Sequence, residues 1–415
     1  MSEPSVQPAI VDASRTVVVL FVMALLAGFA QFGAISSLED VARHFGHVVA
    51  TGHSLKSAVG LSGSVLGIGL AALRLASLGA LPLAALADRW GRLRILRDTL
   101  VVGLLVTAVA SLSPGYWFFV ASFALARPLL AATSTLVQVV TVETSSTARR
   151  VHRLAVMVAG GGIGAGLSAV LHSVIRGPNS FRWLFAIVVL PALIVPSLLR
   201  AVPEPHRHSI DSHTMRLGSV PAHLRGRLTV IAVVAFTVGM ITGPANGFTF
   251  VYGEGVLRLS PSVVAGVVTA SALSGLGGLL LGRQLAHTIG RRWTVAAGVL
   301  ALAVTSAYAY SGGRTSFEVG YFLGVGAAGL LAPAAGAIST EIFPHAFRAT
   351  AAGWAGVAGV LGATAGLALF GWIGDAVGGV QSASLRVPAL LTFLPLLPTL
   401  VLLARLPESR GVELS

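Results

Sequence analysis

Twelve apolar runs dominate the chain, each close to the roughly 20 residues that a helix needs to cross a bilayer core. They fall at 16–37, 58–83, 98–113, 116–140, 152–175, 183–200, 228–252, 262–282, 294–312, 316–339, 350–374 and 387–404. Charged residues make up only 10% of the 415, where a soluble domain carries roughly 25%. So few charges cannot cover a water-facing surface, and most of the solvent must be lipid. The expected fold class is an all-α membrane protein with twelve transmembrane helices. The first run reads as a retained span, because Arg15 is the one basic residue before it and no A-x-A-like cleavage site follows.

The basic residues give the orientation. Nineteen of the 28 lie in the termini or in loops on their side of the membrane, and seven in the opposite loops. The positive-inside rule then places both termini in the cytoplasm of a multi-pass inner-membrane protein. Trp90, Trp117, Trp183, Trp293 and Trp372 sit near span ends, as an aromatic belt requires. The excess of 13 positive charges is accounted for by this bias, so nucleic acid is not an expected partner. With no cysteine, disulfides, thiolate metal sites and cysteine nucleophiles are excluded. The dispersed histidines, such as His206, His208 and His213, form no metal-ligand pattern. No cofactor is expected, and no nucleophile–base cluster in the spans supports an enzyme. The partners expected are the bilayer and a small-molecule substrate, with the protein working as a monomer.

A polar stretch at 201–227 separates residues 1–200 from 228–415 and reads as a cytoplasmic linker between two six-span halves. The halves repeat. Asp88-Arg89-Trp90-Gly91-Arg92 precedes His287-Thr288-Ile289-Gly290-Arg291 by 199 residues. Glu143 and Glu341, Arg150 and Arg348, Gly161 and Gly359, and Gly164 and Gly362 are each 198 apart. Pro203-Glu204 and Pro407-Glu408 close the two halves. Duplicated halves put a substrate site at their interface near the membrane midplane.

The segment Asp88-Arg89-Trp90-Gly91-Arg92-Leu93-Arg94 resembles the signature loop of the major facilitator superfamily. Glu341-Ile342-Phe343-Pro344 with Arg348, and Leu406-Pro407-Glu408-Ser409-Arg410-Gly411, resemble elements of its sugar-porter and metabolite:proton symporter branches. The resemblance covers the whole chain and implies the pseudo-symmetric major facilitator fold and alternating-access transport. Departures are Ala84 in place of the first signature glycine, His287 in place of the repeat-loop Asp, and no antiporter proline in span five.

Three groups of charges carry the functional reading. Acids and arginines recur at short spacing in the cytoplasmic loops: Asp88 with Arg89 and Arg92, Glu143 with Arg149 and Arg150, and Glu341 with Arg348. With Gly91, Arg291, Glu204 and Glu408 they form the expected gating set, weak ion pairs that open and close during the cycle. Arg74 and Arg127 fall inside spans, about 21 and 24 Å from Asp88 and Glu143 at 1.5 Å per residue. None of the fifteen acids lies deep in a span, so a negatively charged substrate is the expected counter-ion. Arg127 also resembles the superfamily's span-four arginine, which is linked to substrate or proton handling. Gln31 and Asn246 are expected in the same layer as the arginines, completing the substrate set. Asp40 and Glu254, then Glu39 and His172, are the proton-coupling candidates, read as interfacial groups at the outer margin. Uniport, anion exchange, multidrug efflux and a non-transporting sensor stay open as alternatives.

Overall fold

A computed structural model describes residues 13–48, 55–177, 179–200, 202, 221–344, 347–377 and 385–405. Twelve helices among them are long and apolar enough to span a membrane. They are Arg15–Ser36, Gly63–Trp90, Arg92–Leu112, Tyr116–Glu143, His152–Val174, Ser180–Leu199, Ala222–Gly247, Pro261–Thr288, Arg291–Ala309, Arg314–Ile338, Arg348–Ala376 and Arg386–Leu403, numbered spans one to twelve. Spans one to six and seven to twelve form the two halves. Glu204, Glu408 and most of the linker lie outside the described residues. The end of the bundle bearing Gly91, Gly290, Glu143 and Glu341 is here the arginine-rich face, and the other end the far face.

Hydropathy placed the spans, but turn chemistry moved some boundaries. The run from 58 does not begin span two. Gly60, at φ +91°, ends a short helix at Leu55–Val59, and Ser62 then caps Gly63 by accepting from the Val65 amide. Span two continues to Trp90, so Asp88 and Arg89 are on its last turn and Gly91 alone makes the connection. Gly91 and Gly290 adopt φ values of 104° and 101°, so the repeated glycine makes the same turn twice. Side chains rarely tolerate that backbone. Span seven ends at Gly247, and the chain then makes a wide helical turn at Val251–Val256 that carries Glu254.

Within each half, two helices touch backbone to backbone. A Cβ on Gly28 would overlap the Gly161 carbonyl, and one on Gly164 the Leu25 carbonyl. The second half repeats the seam: Gly239 meets the Gly359 carbonyl and Gly362 the Phe236 carbonyl. In lipid there is little hydrophobic drive between helices, so such close van der Waals approach supplies much of the association. Gly362→Ala is expected to destabilise the purified protein by about 1–3 kcal/mol through overpacking. Gly266→Ala, whose Cβ would meet nothing within 4 Å, is the control. Thermal unfolding in detergent compares them, and equal melting temperatures would contradict the seam.

Candidate functional site: a charged cavity beneath a closed face

The far face is shut by contacts between the halves. The carboxylate of Asp375, at the end of span eleven, accepts from the Gly63 and Ser64 amides at 2.7 and 2.8 Å. These are unsatisfied donors at the start of span two, where the helix dipole also favours an anion. Below them, Gly63 and Gly67 lie against the Gly371 and Leu367 carbonyls.

A second closure centres on His172 in span five. Its Nε2 lies 3.1–3.2 Å from both Glu254 oxygens, and its Nδ1 is 3.4 Å from Asp40. Asp40 also accepts from the Ser180 hydroxyl at 2.6 Å, and Glu39 pairs with Arg43. The Phe250 ring packs edge-on against His172 and Phe32. His172, Glu39 and Glu254 are buried, at 4%, 5% and 7% exposure. The interfacial placement expected for them is therefore corrected: Glu254 is drawn inside by the turn at Val251–Val256 and meets a histidine from the other half. Burial holds the Glu254 carboxyl above the usual carboxylate range, against the pull of His172. Burial raises Glu39 as well, opposed by Arg43.

At the arginine-rich face the pairing is different. No hydrogen bond or ion pair between described residues joins the two halves there. Arg92 bonds Asp88 at 3.0 Å and pairs with Glu143. Arg291 pairs with Glu341 at 2.7 Å. The same bond thus recurs in each half, between its repeated loop and the end of its fourth helix. This corrects two expected pairings. Glu143 meets Arg92 rather than Arg149 or Arg150, and Arg348 donates to the Phe343 carbonyl at 3.1 Å rather than to Glu341. Arg89 is exposed, and Arg150 has a buried Nε without a partner among the described residues.

Between these two ends lie the intramembrane arginines. Arg74, Arg127 and Gln31 line a small cavity of about 20 Å³ where the halves meet. Arg127 donates from Nη1 to the Gln31 carbonyl at 3.3 Å, and its buried Nε has no partner. No carboxylate among the described residues pairs with either arginine. The Gln31 amide is bound to span four, through Ser134 Oγ at 3.0 Å and the Leu130 carbonyl at 3.3 Å. Arg74 also lines a cavity of about 460 Å³ that runs among spans seven, nine, ten, eleven and twelve. Val295, Ile338 and Leu403 mark its arginine-rich end, and Thr242 and Ala363 its deeper wall.

Asn246 does not join the arginines. It lines a separate cavity of about 160 Å³. There it accepts from the Tyr321 hydroxyl at 3.3 Å and donates to the Thr242 carbonyl at 2.9 Å. The rotation of a helix about its axis was not readable from sequence.

The sequence matches the family model of the Major Facilitator Superfamily over residues 20–308. The chain belongs to the major facilitator superfamily. No curated protein matches it. Solved structures share its fold. A D-xylose-proton symporter aligns at TM-score 0.72 and 18% identity, covering 97% of this chain and 99% of that one. The nucleoside transporter NupG aligns at 0.74 and 12%, over 94% and 99%. A bacterial homologue of the human lysosomal transporter Spinster, inward-facing and occupied, aligns at 0.74 and 15%, over 94% and 96%. At these identities the likeness is one of fold.

Within this major facilitator protein, sequence reading did not single out Asp375. It gave His172 only a minor place. The signal for Asp375 was there: an acid closing span eleven and a Ser-Gly-Ser start to span two. Nothing along the chain joins 375 to 63. Only the packed fold does.

Proposed function

We propose that this superfamily member is a secondary transporter that moves a small organic anion across the cytoplasmic membrane by alternating access. One observation carries the reading: two permanently cationic side chains at the meeting of the halves, beneath a closed face, with no protein counter-ion among the described residues. Buried charge without a partner is costly, and a ligand carboxylate is the natural complement for guanidinium groups. Arg74 and Arg127 are the binding residues, with Gln31 bracing span one against span four. Asn246 serves the adjoining cavity. Halves 1–200 and 228–415 rock about this site, joined by 201–227. The arginine bias puts the arginine-rich face and both termini in the cytoplasm, so the closed far face makes this an inward-facing state.

Asp88, Arg89, Gly91, Arg92, Glu143, Arg150, Arg291, Glu341 and Arg348, with Glu204 and Glu408, act as the cytoplasmic gating set. Among the described residues, the Arg92–Glu143 and Arg291–Glu341 pairs each lie within one half, which is what an open gate requires. Asp40 and Glu254 are the proton-coupling groups, and the xylose-proton neighbour supports symport. The apolar lining of the larger cavity favours a second reading, efflux of amphipathic compounds.

Uptake of a solute panel into proteoliposomes, with and without a pH gradient, tests the proposal. Organic carboxylates are expected to accumulate, faster with protons supplied from the far side. Flux of uncharged solutes alone supports efflux chemistry, and ligand binding without flux makes the protein a sensor.

A further inference from the structure

The larger cavity has an unusual composition for a site that must accept a hydrophilic solute. Among the described residues that line it, Arg74 is the one charged group and Thr242 the one hydroxyl. The other described lining residues are valine, isoleucine, leucine, alanine or glycine, with no aromatic ring among them. A sugar or other polyol placed there would leave most of its hydroxyls unpaired. Each such loss costs roughly five- to a hundredfold in affinity. The neighbours' sugar and nucleoside chemistry therefore does not fit this wall. An apolar body does, since each buried methylene is worth about fourfold. Space is available: a Cβ added at Gly336 or Gly356 would meet nothing within 4 Å. The charge stands at one end only. Arg74 borders both this cavity and the small one it shares with Arg127.

We infer that the substrate is an amphipathic organic anion, its acid group held at Arg74 beside Arg127 and its hydrocarbon or aromatic body lying in the cavity of the second half. This rests on the anion-transport reading and adds the part of the ligand that the arginines do not see. It also explains why the cavity is built almost wholly by one half while its cation comes from the other. Closing the arginine-rich face over such a ligand would bring apolar wall and cationic end together around one molecule.

The absence of native cysteine makes the test direct. The full chain carrying Ala335→Cys in the cavity wall is placed in lipid nanodiscs, and its rate of maleimide labelling is measured with four probes: 2-naphthoate, acetate, 2-naphthamide and xylose. The expected result is that 2-naphthoate slows labelling at a concentration at least about tenfold below that needed for acetate. At that concentration 2-naphthamide and xylose do not protect. Arg74→Gln raises the required 2-naphthoate concentration at least about tenfold. Gly356→Phe, which fills the cavity while sparing the arginines, removes the advantage of 2-naphthoate over acetate. Equal protection by acetate and 2-naphthoate overturns the apolar-body assignment and leaves the anion reading standing. Equal protection by 2-naphthamide, or unchanged protection in Arg74→Gln, overturns the anion reading itself. Protection by xylose, or none by 2-naphthoate at any concentration where acetate protects, overturns the proposed substrate class.

Discussion

Arg127→Ala is expected to abolish transport while the protein inserts normally and becomes more resistant to heat. The two effects share one cause. Arg127 has a buried Nε with no partner and one long hydrogen bond to a carbonyl. Such a group costs folding energy, and its removal relieves that cost. The same group is the one that a bound anion would satisfy. Truncating one partner of a buried charge pair typically costs 2–5 kcal/mol in binding, or roughly 30-fold to a few thousandfold in affinity. A purely structural Arg127, tying span four to span one, predicts the reverse pattern: lower melting temperature and near-normal flux. Measuring both quantities on one preparation decides between them, and wild-type flux would discard the anion site.

Glu254→Gln is expected to keep the far face shut at every pH and to slow turnover at least about tenfold. The buried carboxyl faces His172 from span five, and Glu39, Asp40 and Arg43 from the short helix Leu38–Phe45. In the closed state burial raises its proton affinity. Once the face opens and water enters, the carboxyl returns towards its ordinary value of about 4.3. The closed form therefore binds the proton more tightly, and by linkage acid favours closure. That contribution is fully present below the ordinary carboxylate range and is lost as pH rises through the raised value. Above it, Glu254 is left as a buried carboxylate facing Asp40 from the other half, and the cost of burial, added to by that neighbour, favours opening. Glutamine keeps a hydrogen-bonding group beside His172 but cannot acquire the charge. Labelling of Leu70→Cys by an impermeant maleimide from the far side follows the opening. It should rise with pH in the parent and stay low in Glu254→Gln. A rise of the same size in both would dissociate this carboxyl from the closure.

The parts of this architecture that sequence could reach were those set by local chemistry. Apolar length located the spans, and the duplicated Gly91 and Gly290 announced two identical turns. The ion pairs were only half legible. Repetition showed that Glu143 and Glu341 have equivalent roles. Choosing Arg348 as a partner from spacing failed, because a helix end meets the neighbouring hairpin rather than its own continuation. His172 and Glu254 are 82 residues apart and belong to different halves, so no pattern along the chain could join them. Asn246 lines one cavity while Gly243 and Gly247 on either side of it line the arginine cavity, because a helix of 3.6 residues per turn can present neighbouring residues to either of two cavities.

Asp375 grips span two by its peptide groups rather than by any side chain. Ser64 can therefore be exchanged for any residue but proline without releasing the closure, whereas Gly63 cannot, since a Cβ there would strike the Gly371 carbonyl. Position 375 has no such latitude. A mutational scan of the two partners should be lopsided, tolerant at 64 and severe at 375, even though they share one bond.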